Sequence, residues 1–157
     1  MRGAMIGASH RRLGGERLAT GHGRFVADVR LPGVLEAAVL RSPHAYARVR
    51  RVDAARALRL PGVRAVLTAA DVPASAVIPN RVPAPEGTAR YLQPAIARDV
   101  VRYVGEPVAL VVADDRYLAA DALELIDVDY TPLPACATVA VALAPDRLVL
   151  HVPPGVR

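Results

Sequence analysis

Hydrophobic positions fall into short runs separated by Gly, Pro and charge, and the period within each run predicts an element. Val34 to Leu40 is mostly apolar and predicts a strand. From Ala45 to Val52, Ala45, Ala47, Val49 and Arg51 alternate with Tyr46, Arg48, Arg50 and Val52. That is the two-residue period of a half-buried strand, with one mainly small apolar face and one largely basic face. The connection Arg41-Ser42-Pro43-His44 joins these two runs, and Leu31-Pro32-Gly33 is a turn before them. Asp53 is placed to cap a short helix, Ala54 to Leu58, which Pro61-Gly62 stops. A third strand runs from Val63 to Leu67, and Thr68 to Asp71 is a helical turn. Upstream, Met1 to Gly23 lacks periodicity and reads as an extended arm leading into a short strand, Arg24 to Val26.

Residues 73–94 carry five prolines, which supply no backbone donor, so this stretch reads as an exposed lobe rather than sheet. A structureless stretch of that length inside a domain is the best candidate for a contact surface. Order returns at Ala95 to Ala97 and Val100 to Val104, followed by the turn Gly105-Glu106-Pro107. Val108 to Ala113 is apolar throughout and predicts a central strand buried on both faces. Asp114 or Asp115 caps a helix from Arg116 to about Leu125, with Leu118, Ala122 and Leu125 on its apolar stripe. Ile126, Val128 and Tyr130 then alternate with Asp127 and Asp129 as a one-sided strand ended by Thr131-Pro132-Leu133-Pro134. Strands and helices interleave irregularly and are too few for a doubly wound sheet. The fold class is α+β.

At 157 residues and 53% hydrophobic content the chain suits one globular domain and excludes a disordered tail. Cys136 is the only cysteine, so an intrachain disulfide and a cysteine-based zinc site are excluded. The longest aliphatic run is far shorter than the roughly 20 residues that cross a bilayer. All 20 basic residues are arginine, a skew that reads as coding bias. Charge is uneven: residues 1–64 hold 13 Arg against 4 acids, and residues 65–157 hold 7 against 11. The basic half has only Phe25 and Tyr46 as aromatics and no recognition-helix pattern, so an acidic protein face suits it better than nucleic acid. Arg11-Arg12 superficially has the form of a twin-arginine export signal, but Gly14-Gly15-Glu16-Arg17 follows instead of an apolar stretch, making cytoplasm the expected location.

Catalytic patterns are sparse. His10, His22, His44 and His151 are scattered, with no helical pairing to a carboxylate. Asp127 and Asp129 share a strand face, which two metal-binding carboxylates would need, but a solvated outer face accounts for them. Ser42, His44 and Asp53 lie near one another in sequence without a nucleophile elbow around the serine. Cys136 sits in an apolar tail and reads as an inert small hydrophobe. The residues alone therefore assign no catalytic, cofactor-binding or metal site.

Five strings carry a more specific signal. Gly21-His22-Gly23-Arg24-Phe25 opens a stretch running to Gly33, and Leu40-Arg41-Ser42-Pro43-His44 opens one running to Val49. Pro61-Gly62-Val63-Arg64 continues to Thr68, and Val101-Arg102-Tyr103-Val104-Gly105-Glu106-Pro107 continues to Ala109. The fifth is Val128-Asp129-Tyr130-Thr131-Pro132-Leu133-Pro134. Together and in this order, they resemble the start of the molybdenum-binding large subunits of the xanthine dehydrogenase/aldehyde oxidase family, in its aerobic carbon monoxide dehydrogenase-like branch. Tyr46 departs from the family pattern, which usually has a second His there.

The resemblance implies an α/β hammerhead domain over residues 24–135, with the Pro-rich lobe at 73–94. Residues 136–157 would be a tail or linker toward a molybdenum-binding domain. It further implies an oxidoreductase of aldehydes, purines and related heterocycles, or carbon monoxide. The molybdenum-pterin cofactor would belong to the full subunit, and iron–sulfur clusters and FAD to partner subunits. The family's cofactor motif and catalytic glutamate follow the hammerhead and are not carried onto this chain. Two motifs remain as family strings or interface: Arg41, Ser42 and His44 at a strand connection, and Gly105, Glu106 and Pro107 at the turn. Each is open between a structural turn and a contact with the following domain, with Glu106 expected to bond neighbouring backbone or an arginine. Three functions compete: the N-terminal piece of such a subunit, a free-standing binding or assembly module, and an inactive gene remnant.

Overall fold

The computed structural model describes residues 6–83, 85–147 and 149–151. The chain divides into two units, Met1–Val34 and Leu35–Arg157.

In the first unit the expected extended arm contains a short helix, α1 (Gly15–Ala19), entered through Gly14 at φ 79°. Thr20 closes its end, its hydroxyl donating to the Glu16 carbonyl at 2.7 Å. The strand expected at Arg24–Val26 is absent; a 3-10 turn covers Val26–Asp28 instead. The cause is local. The Asp28 carboxylate accepts the Phe25 amide at 2.9 Å while the Asp28 amide donates to the Phe25 carbonyl at 3.0 Å, closing a turn where a strand would need both groups free.

The second unit holds two three-stranded antiparallel sheets and a two-stranded ribbon. Its strands are β1 (Glu36–Arg41), β2 (Ala47–Asp53), β3 (Val63–Leu67), β4 (Val77–Ile78), β5 (Gln93–Pro94), β6 (Val100–Val101), β7 (Pro107–Ala113) and β8 (Asp127–Pro132). The first sheet has the order β1-β7-β3 and the second β6-β2-β8. The apolar run at 108–113 is thus the middle strand of its sheet. Ala109, Val111 and Ala113 are fully buried beneath α2 (Arg116–Leu123), and Val108 is buried in a second cluster with Ala47, Ala97 and Val101.

Asp115, rather than Asp114, caps α2: its carboxylate accepts the Tyr117 and Leu118 amides at 2.8 and 2.9 Å. Asp114 instead clamps Arg64 of β3, Nε to Oδ1 at 2.6 Å and Nη2 to Oδ2 at 2.9 Å. Ala119 joins Ala122 as the buried face of α2, with Leu118 and Leu125 half-buried beside them. Gly62 has φ 89°, a left-handed conformation that favours glycine, and a Cβ there would lie 2.6 Å from the end of the Leu118 side chain, which would have to shift.

Three further expectations change. The alternation along 45–52 breaks at a bulge between Val49 and Arg51, whose partners on β8 are Tyr130 and Asp129. The extra residue returns Val52 to the core and sends Arg51 outward, where it pairs with Asp53 at 3.1 Å. The Pro-rich lobe is not free of sheet, because β4 and β5 pair across it. Pro94 is tolerated there because the ribbon is two residues long and the next bond comes from the Ala95 amide to the Ala76 carbonyl. The helix expected at 54–58 is an Asx turn, with the Ala55 amide on Asp53 Oδ1 at 3.0 Å, running into a 3-10 turn at Ala57–Arg59. Beyond β8 a short helix, α3 (Val139–Leu143), forms in the tail under a Thr138 cap. Among the described residues no helix is long and apolar enough to cross a membrane.

Candidate functional site

The two candidate motifs meet. β1 ends at Arg41 opposite Pro107, after a register shift beyond Leu40, and this irregularity lets the chain turn across the start of β7. There the Ser42 amide donates to the Glu106 carbonyl at 2.9 Å and the Gly105 amide to the Ser42 carbonyl at 2.8 Å. Arg41 adds a third link, Nη1 to the Gly105 carbonyl at 2.8 Å. Gly105 makes the turn possible with φ 92°. Pro107, which has no amide hydrogen, begins β7, and its carbonyl accepts the Ala97 amide at 2.8 Å.

The polar side chains inside this junction are satisfied locally. Ser42 is 2% exposed; its hydroxyl accepts the His44 amide at 3.0 Å and donates to the His44 carbonyl at 3.1 Å. The His44 ring does not face that hydroxyl as a base would; it stands edge-on to Tyr130, centroids 4.8 Å apart. Ser42 is therefore a turn-former here, and no nucleophile–base pair is assembled. Burial pushes the Tyr130 phenol above its ordinary range, partly offset by the neighbouring Ser42 side chain. Glu106 is 1% exposed, and its Oε2 accepts the Arg102 amide, one of the two arrangements the sequence leaves open for it.

Beside Glu106 lies a cleft of about 340 Å³. One wall is the segment 91–94 ending in β5; the other is β6 with Arg102 and Tyr103. Gln93 Nε2 donates to the Tyr103 hydroxyl across it. Arg98 donates to the Ala69 and Val72 carbonyls, and Arg102 Nε to the Leu150 carbonyl at 3.1 Å. These wall residues escape a motif search because the β4–β5 ribbon brings them together across the Pro-rich lobe. Arg102 and Tyr103 alone carried a signal, lying in the same family string as Glu106.

The remaining candidates scatter. Asp127 pairs with Arg56 at 3.9 Å and Asp129 stands opposite Arg51, both on the exposed face of β8. Cys136 is half-buried beside the Thr138 carbonyl. Among the described residues no three His, Cys, Asp or Glu side chains are grouped to hold a metal ion. This donor set does not fit a molybdenum centre.

Comparison with known proteins gives the arrangement its relatives. The model of the aldehyde oxidase and xanthine dehydrogenase α/β hammerhead domain matches residues 20–134. The carbon monoxide dehydrogenase large chain of Afipia carboxidovorans is 41% identical over 146 residues, 93% of this chain and 17% of that protein. The structure of reconstituted CO dehydrogenase from Oligotropha carboxidovorans superposes with a TM-score of 0.78 at 41% identity, covering 90% of this chain and 17% of the other. Quinoline 2-oxidoreductase from Pseudomonas putida 86 gives 0.75 at 46% identity, over 88% and 18%. The chain thus spans about a sixth of the length of the proteins it matches, and over that length it is a member of the aldehyde oxidase and xanthine dehydrogenase α/β hammerhead domain family.

Proposed function

We propose that the chain is the N-terminal domain of a molybdenum hydroxylase large subunit, an oxidoreductase acting on aldehydes, purines and other N-heterocycles, or carbon monoxide. Its part is that of a scaffold on which the cofactor-bearing domain docks. One observation carries the reading: near-complete coverage of this chain at 41% identity against only 17% of a carbon monoxide dehydrogenase large chain. Iron–sulfur and flavin subunits are the further partners, and the cytoplasm the compartment, which suits a chain with one cysteine.

A bound molybdenum-pterin group would supply hydroxylation with water as the oxygen source, and this chain contributes none of its ligands. Its own residues hold a rim. The bonds joining Arg41 and Ser42 to Gly105 and Glu106 fix two turns as one rigid edge, and that edge is offered to the following domain.

The test has two arms. The purified chain should contain no molybdenum by elemental analysis and oxidise no aldehyde, purine or carbon monoxide; a stoichiometric molybdenum content would overturn the reading. Sequencing the DNA beyond the Arg157 codon should reveal a frame encoding the rest of the subunit. Its absence, together with a stable folded monomer, would favour the free-standing module.

A further inference from the structure

Beyond β8 the tail leaves the sheets and then comes back. From Ala137 to Val149 its described side chains are mostly exposed, Val139, Val141, Leu143 and Val149 among them. At Leu150 and His151 the chain is half-buried again. Contacts with the region of β5 and β6 account for the return. Arg102, in the turn after β6, donates from Nε to the Leu150 carbonyl at 3.1 Å. The His151 ring stands edge-on to the ring of Tyr91, centroids 5.4 Å apart. His151 thus completes the wall of the cleft that Tyr91, Arg102 and Glu106 also line.

Arg102 is prepared for this contact. Its amide is held by Oε2 of the buried Glu106, and its Nη1 leans on the Val100 carbonyl at 3.4 Å. With both ends of the residue fixed, the guanidinium loses little rotamer freedom when Nε takes the tail carbonyl. A backbone acceptor makes that bond indifferent to the side chain at position 150, and the ring pair with Tyr91 adds selectivity for an aromatic ring at 151. Both contacts work against the entropy of closing the loop from Leu133, whose amide is bonded to the Tyr46 carbonyl, round to Leu150. The opposing effects are of the same order, so the loop is closed but releasable.

We propose that Arg102 and Tyr91 form a grip for this chain's own outgoing segment, so that the cleft is the seat of Leu150 and His151 and the segment is a releasable strap. The grip fixes the path of the chain as it leaves the sheets, which a scaffold role alone does not require. It is built wholly from this chain, so the proposal holds or fails separately from the reading of the whole subunit.

The experiment is NMR on the full 157-residue chain, labelled with nitrogen-15 and carbon-13, together with limited trypsin digestion. Ring protons of Tyr91 and His151 should show cross-peaks to one another, and the backbone order parameters of Leu150 and His151 should be about 0.8. Trypsin cutting after the exposed Arg147 must draw residues 150 and 151 out of their seat, so release of the peptide 148–157 follows the open population. Arg102→Leu should speed that release about tenfold, the share of one charge-assisted hydrogen bond. His151→Ala should speed it about threefold, the share of one ring pair. The Val111 amide, in the core of the first sheet, should keep its shift in both variants. Should Arg102→Leu lose its dispersed spectrum, His151→Ala decides, because position 151 lies outside every strand and helix. Order parameters below about 0.6 at 150 and 151 in the unaltered chain would overturn the proposal. So would missing ring cross-peaks, or an unchanged release rate in the His151→Ala chain.

Discussion

The Ser42 amide donates to the Glu106 carbonyl at 2.9 Å, and the Gly105 amide returns to the Ser42 carbonyl at 2.8 Å. This reciprocal pair welds the exit of β1 to the entry of β7. Because β7 is the middle strand of its sheet, a disturbance at the weld reaches the core through Val108 and Ala109.

Glu106 should reveal this in stability. Replacing it with Leu leaves the Arg102 amide without its acceptor in a buried site, at a cost of about 2 kcal/mol. Replacement with Gln, which retains an acceptor oxygen, should cost about 1 kcal/mol. Urea unfolding of the two variants should rank them in that order; equal losses would mean that packing, not the hydrogen bond, is what Glu106 supplies.

Gly62 and Gly105 share a positive φ but not their surroundings. Alanine at Gly105 meets open space and should cost only the conformational penalty, about 1 kcal/mol. At Gly62 the new Cβ meets Leu118 at 2.6 Å as well, and the loss should rise to about 2–4 kcal/mol. Thermal unfolding of both variants checks the contrast.

Asp115 and Asp114 are adjacent and do different work. Asp115→Ala removes the acceptor of two helix amides and should destabilise by about 1 kcal/mol at any salt concentration. Asp114→Ala breaks an exposed ion pair with Arg64, and its smaller effect should shrink further as salt is added. Melting temperatures in low and high salt separate the two.

The Tyr130 phenol has its folded-state pKa raised above the ordinary value of 10.0, chiefly by burial. The folded state therefore favours the neutral phenol. Its contribution is fully present below that ordinary value and is lost as pH rises through the higher folded value. Tyr130→Phe should flatten the alkaline end of the stability profile. Unchanged slopes in chemical unfolding above pH 10 would count against this.

Strands with one uninterrupted period were legible in the residues. Val63–Leu67 forms as expected, and the apolar 108–113 run, extended by Pro107, is central as expected. Where a single side chain diverts the backbone, periodicity fails. Asp28 captures the Phe25 amide and replaces a strand by a turn, and the bulge after Val49 exchanges the faces of Arg51 and Val52. The family strings at 41–44 and 105–107 could be marked as candidate contacts, but their bonding to each other depends on a register shift at Leu40 that no residue type announces. The cleft was less legible still, since Tyr91, Gln93 and Arg98 belong to no shared motif and are gathered by a proline-bearing ribbon.

Val52 and Val128 each pack against both apolar clusters, the one under α2 and the one around Val101. Neither cluster has a boundary of its own at that seam. Heat or denaturant therefore meets one melting unit rather than two, and amides from β2 and β7 should exchange with deuterium at a common slowest rate.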